Sequence, residues 1–149
     1  MAQISTLSAI IFILCFTFLP VSAQKGESRL RILFELSSGN KDSIDDLAKN
    51  VEGLRKNAEN LADITVFACG NGVLLFHSEQ EENAKNLAKM ADKGVDFAVC
   101  RESLESAGMN ESDLVSFART VKECSKTIEK LEKQGWARIR EGESYVSHL

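Results

Sequence analysis

The chain has 149 residues, with 18 basic and 22 acidic side chains, a formal net charge of −4 and 44% hydrophobic residues. That is enough for one ordinary domain that buries a real core without staples. Charges of both signs are interspersed and no Lys/Arg run occurs, which excludes nucleic acid as a partner and leaves no attraction to anionic lipid.

The first 23 residues, MAQISTLSAIIFILCFTFLPVSA, carry no charged side chain and hold an apolar block from Ala9 to Leu19. They read as a secretory signal peptide. The block has the length of a signal h-region, Pro20 breaks it, and Val21-Ser22-Ala23 offers the cleavage site. An uncleaved anchor is the competing reading, but about 20 apolar residues are needed to span a bilayer. The expected mature protein is a single domain, Gln24 to Leu149, exported to the periplasm or secreted, and free of the membrane. Cys15 leaves with the signal, so Cys69, Cys100 and Cys124 remain. In an oxidising compartment an odd count leaves at least one cysteine outside any intramolecular disulfide.

From Arg29 onward two kinds of segment alternate. RLRILFEL (29–36), DITVFAC (63–69) and VDFAVC (95–100) are short, apolar and rich in β-branched residues, and read as strands. Ile44, Leu47, Ala48, Val51, Leu54, Ala58 and Leu61 recur at helical spacing, with Asp42 or Ser43 as the expected N-cap. Ala84, Leu87, Ala88 and Ala91 mark a second helix closed by Gly94. The charged segment after Cys100 is helix-prone, and NESDL (110–114) reads as a capped turn. VSFARTVK (115–122) reads as a short strand, ECSKTIEKLEKQG (123–135) as a helix, and WARIR (136–140) as an edge strand. The tail EGESYVSHL is expected to be loose. Asn110-Glu111-Ser112 is also a glycosylation sequon, relevant only in a eukaryotic host.

Such alternation implies a mostly parallel five-stranded α/β sheet with helices on both faces. Open α/β sheets place their ligands at the carboxyl ends of the strands. Three loops leave those ends: Ser37-Ser38-Gly39-Asn40, Gly70-Asn71-Gly72, and Cys100-Arg101-Glu102-Ser103. They are expected to line one site. Neither glycine loop matches a phosphate-binding motif, so Gly70 and Gly72 read first as positive-φ positions in a tight turn. Their alternative role is to present backbone N–H groups to an anion. Local metal-ligand spacings are absent, and neither metal nor cofactor is expected. His77, after GVLLF, is a candidate proton partner for a thiol or a plain surface residue.

The thiols differ in setting. Cys124 shares a helical stripe with Val121, Ile128 and Leu131 and reads as a small core residue. Cys69 closes an apolar strand beside the glycine loop, either buried or at the site's rim. Cys100 ends a strand and begins a helix, where unpaired N–H groups and the adjacent Arg101 favour a thiolate, opposed by Glu102 and Glu105. Three fates stay open for it: a reactive thiol, an inert buried one, or a disulfide with Cys69.

RILFELSSGN, DITVFACGNGVLLFHS, KGVDFAVCRESLESAGM and EKLEKQGWARIR together resemble the DsrE/DsrF family, in particular its small exported members. The resemblance covers nearly all of Arg29 to Arg140. It implies a three-layer α/β/α sandwich and assembly into homo-oligomers, trimers or hexamers. In the family's sulfur-relay members a cysteine at the end of the third strand carries a persulfide between carrier proteins, and Cys100 matches that position. The resemblance therefore implies sulfur handling, with a sulfur-carrier protein or a small sulfur anion as partner. The alternative is a non-enzymatic oligomeric module that binds a small anion or protein, with Cys100 structural.

Overall fold

The computed structural model describes residues 29–58 and 62–143; the signal peptide read at 1–23 lies outside them, as does Leu61 of the first helical stripe. In chain order the elements are β1 (Leu30–Leu36), α1 (Asp42–Asn57), β2 (Ala62–Ala68), a 3-10 segment (Gly70–Phe76) and α2 (Glu81–Asp92). Then come β3 (Val95–Cys100), α3 (Arg101–Ser106), a 3-10 turn (Glu111–Asp113), β4 (Ala118–Val121), α4 (Cys124–Lys133) and β5 (Ala137–Arg140). The strands form one five-stranded sheet in the order β4-β3-β2-β1-β5, with every neighbouring pair parallel. The expected parallel α/β architecture is present, with β5 at an edge. Among the described residues no helix is long and apolar enough to cross a membrane.

The strand order decides where the helices go. From β1 to β4 the chain steps across the sheet in one direction, and right-handed crossovers put every connection on one face. The step from β4 to β5 returns across the whole sheet, so α4 lies on the opposite face. Strand alternation then divides the side chains. Ile32, Phe34, Leu36, Ile64, Val66, Phe97 and Val99 pack with Ile44, Leu47, Val51 and Leu54 of α1, Leu87 and Met90 of α2, and Leu104 of α3. Leu33, Phe67, Ala98 and Cys100 point the other way, against Cys124 and Ile128 of α4. One helix cannot cover five strands, and the same sheet face also carries cross-strand ion pairs: Arg138–Glu35 and Arg119–Asp96 at 2.7 Å, and Arg29–Asp63 at 3.0 Å.

The structure differs from the sequence expectations in four places. The α1 N-cap position is Lys41 rather than Asp42 or Ser43, and the first N–H groups are met by Asn40 before it: its side-chain oxygen accepts the Asp42 N–H at 3.2 Å and its carbonyl the Ser43 N–H at 3.1 Å. GVLLF, to which the sequence pattern assigns no element, forms part of the 3-10 segment that buries Val73, Leu75 and Phe76 over the sheet. β4 starts at Ala118, because the Val115 N–H is taken by the Phe76 carbonyl. Finally, the C-terminal tail is not loose at its start. The Glu141 carboxylate accepts the N–H groups of Ser37 and Ser38, each at 2.8 Å, and the hydroxyls of Ser38 and Ser43. It ties the segment after β5 to the β1–α1 loop.

Two glycines are required by this packing. Gly39, at φ +65°, has a backbone conformation that side-chain-bearing residues rarely adopt, and a Cβ there would stand 2.6 Å from the Asn71 carbonyl oxygen. Gly72 has an ordinary φ, which corrects its reading as a positive-φ position. It must be glycine because a Cβ would meet the Leu36 carbonyl oxygen at 2.3 Å. Gly72→Ala is expected to destabilise the protein by about 2–3 kcal/mol, read from the urea midpoint. Gly53→Ala in α1, with nothing within 4 Å of the new methyl, is expected to stabilise by about 0.5–1 kcal/mol.

Partial burial raises the pKa of Glu141, but the Ser38 and Ser43 hydroxyls and the Ser37 and Ser38 amides outweigh it and hold the carboxylate at about 2. A depressed folded-state pKa contributes stability above the unfolded value and loses it as pH falls through the folded one. Stability is therefore expected to drop between about pH 4.3 and the Glu141 value, by about 1 kcal/mol after discounting for solvent screening. Glu141→Gln flattens that limb of the pH–stability curve.

Candidate functional site

Adjacent strands whose connections leave on opposite faces open a crevice at their carboxyl ends. Here that happens between β3, whose chain continues into α3 on the covered face, and β4, which leads to α4 on the other. Three cysteines meet beside this point. Cys69 follows β2 and shares the face of Phe67; Cys100 closes β3 on the face of Ala98; Cys124 opens α4 directly after β4. Their sulfur atoms all lie within 4.8 Å of one another. All three are free thiols, so the Cys69–Cys100 disulfide held open on sequence grounds is not formed. Cys69 is half-buried, whereas Cys100 and Cys124 are each 5% exposed.

The group behaves electrostatically as a unit. A hydrogen bond from Cys124 holds the Cys69 thiol below its usual range; burial and Glu35 oppose this, and Arg138 and a weaker bond from Cys100 support it. Cys124 is pushed strongly up by donating to Cys69 and by burial. Cys69 is thus the more acidic thiol of the pair, with Cys124 as its hydrogen-bond donor. The single proton of the Cys124 thiol has an alternative acceptor in the Val121 carbonyl, at 3.7 Å.

Around the thiols the three loops do meet, as a layer of backbone. The Cys69 N–H donates to the Leu36 carbonyl at 2.8 Å, and the Gly70 N–H to the Ser103 hydroxyl at 2.9 Å. Asn71 lies against Gly39, and Gly72 against Leu36. The Ser37 and Ser38 amides are not free for a ligand, because Glu141 occupies them. Arg101 pairs with Glu111 at 2.5 Å and donates to Thr120 at 3.1 Å, tying α3 to the following turn and β4. His77 forms a backbone bridge with Leu114, its Nδ1 accepts the Glu79 N–H at 3.2 Å, and it is not among the clustered groups. A shallow cavity of about 320 Å³, lined by Gly70, Asn71, Glu102 and Ser103 among others, opens beside the loops. A larger cleft of about 480 Å³ between α1 and the β5 tail contains Glu141 and no thiol.

Cys124 is the site residue that sequence reasoning missed. Its apolar stripe is real, since it packs with Ile128 and near Val121 and Leu131, but its sulfur also belongs to the cluster. The signal was its place at the junction of β4 and α4, which gains meaning only once α4 is known to cross to the other face.

The DsrE/DsrF-like family model matches residues 22–138. No curated protein matches the chain. Among solved structures it is similar to MTH1491, a protein of unknown function from Methanobacterium thermoautotrophicum, at 26% identity and a TM-score of 0.69, covering 74% of this chain and 98% of that one. BT1422, a conserved protein of unknown function from Bacteroides thetaiotaomicron, aligns at 17% identity and TM-score 0.61 over 74% of this chain and 93% of its own. The ychN protein from E. coli aligns at 13% identity and TM-score 0.58 over 75% of this chain and 99% of its own. These two share the fold. With the family model spanning most of its length and the thiols gathered at its strand ends, this chain belongs to the DsrE/DsrF-like family.

Proposed function

We propose that the protein is an exported sulfur-handling member of its family, cleaved after Ala23, in which the thiol cluster takes up sulfane sulfur and passes it on. The observation that carries this reading is three free thiols within 4.8 Å, one of them half-buried and held below the usual thiol range. Persulfide formation needs a thiolate that can reach a donor. The Cys69 thiolate attacks the outer sulfur of a donor R–S–SH, giving Cys69–S–SH and releasing R–S⁻. Cys100, at the family's persulfide position, gives its proton to the released R–S⁻ and attacks that outer sulfur as a thiolate; the persulfide moves to Cys100, and Cys69 leaves as a thiolate that keeps the hydrogen bond from Cys124. Burial of Cys100 protects the carried sulfur from solvent thiols. A sulfur-carrier protein or a small sulfur anion supplies and receives it. Assembly into trimers or hexamers fits the exposed apolar side chains of Leu74 and Phe117.

The second reading, an oligomeric binding module with Cys100 structural, is favoured by that cysteine's 5% exposure. Mass spectrometry separates the two. Polysulfide is expected to add one sulfur atom to the reduced protein, mapped to Cys100 and absent in Cys100→Ser. Cys69→Ser is expected to slow loading by about tenfold or more while the adduct still maps to Cys100. An unmodified Cys100 in the folded protein with every donor leaves the binding module as the function.

The pH dependence of alkylation tests the lowered pKa of Cys69. The rate at Cys69 is expected to level off at a pH below the ordinary cysteine value of about 8.5. In Cys124→Ala, which removes the bond that holds it down, the plateau shifts to higher pH.

A further inference from the structure

Sequence spacing argued against a metal because the cysteines sit in three different segments, far outside any local ligand motif. The fold overrides that separation. Sulfurs placed about 2.3 Å from one metal ion stand about 4 Å apart when the ion lies in their plane. The observed separations, all within 4.8 Å, need a closure of less than one bond length. Among the described residues the group contains three sulfurs and neither histidine nor carboxylate. Two of the ligands are buried, and Leu33, Phe67, Ala98 and Ile128 surround the cluster.

The geometry points to Cys69, Cys100 and Cys124 as a three-sulfur site for a soft, thiophilic d¹⁰ cation, Cu(I). Thiolates select Cu(I) and Zn(II) over harder ions. Zn(II) in closed sites takes four ligands, and the group offers three. Cu(I) is satisfied by three sulfurs in a plane, and the apolar surroundings disfavour the water that Zn(II) needs to complete its shell. Binding replaces three thiol protons with one Cu⁺, leaves the metal's oxidation state unchanged and gives a Cu(SR)₃ group of charge −2. Arg119, itself paired with Asp96, acts electrostatically on Cys124 and offsets part of that charge, while at Cys69 the Glu35 carboxylate outweighs Arg138. The half-buried Cys69 is the way in.

This inference stands independently of the sulfur reading, since each can fail alone; both use the same thiols, so a bound cation blocks sulfur loading. The test is anaerobic titration of the reduced mature protein with Cu(I) against a chromophoric Cu(I) chelator, following the thiolate-to-metal charge-transfer band. One Cu(I) per chain is expected, with affinity at least about 100-fold lower in Cys124→Ser. Far-ultraviolet circular dichroism checks that variant's fold; if it does not fold, Cys69→Ser at the half-buried position carries the same expectation. Failure to compete with the chelator, unchanged affinity in the folded variants, or tighter binding of Zn(II) than of Cu(I) in a parallel titration would overturn the proposal. The polysulfide loading assay, run without metal, reports on sulfur handling whichever way the titration falls.

Discussion

The handedness of one long crossover underlies most of this molecule. Four strands laid down in sequence across the sheet put their connections on one face, and the return from β4 to the far edge throws α4 onto the other. That reversal explains the uneven layers, the ion-paired part of the α4 face, and the crevice between β3 and β4. It also carries Cys124 to the ends of β2 and β3. Without it the stripe of α4 would pack with the other helices, and Cys69 and Cys100 would face solvent.

Above the sheet, the β1 and β2 loops close on each other through backbone rather than side chains. Gly39 against Asn71 and Gly72 against Leu36 permit an approach that any Cβ would block. Glu141 then fills the amides of the serine turn, so the anion held at that strand end is the protein's own carboxylate. The three thiols gather at the neighbouring strand ends, and no acidic side chain belongs to their group.

Three thiols at mutual contact cannot all ionise independently, and they share protons much as paired carboxylates do. The bond from Cys124 lowers Cys69, and the same bond raises Cys124. An electrophilic sulfur or a soft cation each resolves that crowding, the first by adding to one thiolate, the second by neutralising several. Both draw on the same arrangement of one accessible and two buried sulfurs.

How much of this was legible beforehand differs from element to element. The alternating apolar runs and helical stripes sufficed for the parallel sheet, because burial on both faces leaves its mark in local periodicity. Cys100 stood out because a strand end followed by a helix start is a local event. The 3-10 segment after β2 was hidden, since GVLLF has no distinguishing period, and the part of Asn40 at the start of α1 was hidden because Asp42 and Ser43 are equally good capping residues. The role of Glu141 and the membership of Cys124 in the thiol cluster could not be read from their neighbours in the chain, although the burial of Cys124 could. Each finds its partners on neighbouring strands that are distant in the chain, Glu141 on the loop after β1 and Cys124 beside the ends of β3 and β2. Sequence alone determined most of the strands and helices and placed one cysteine where a strand ends and a helix begins, because those depend on residues close in the chain. The tertiary structure decided that the site has three thiols and that the serine turn is already occupied, because both depend on strand order, which local pattern does not encode.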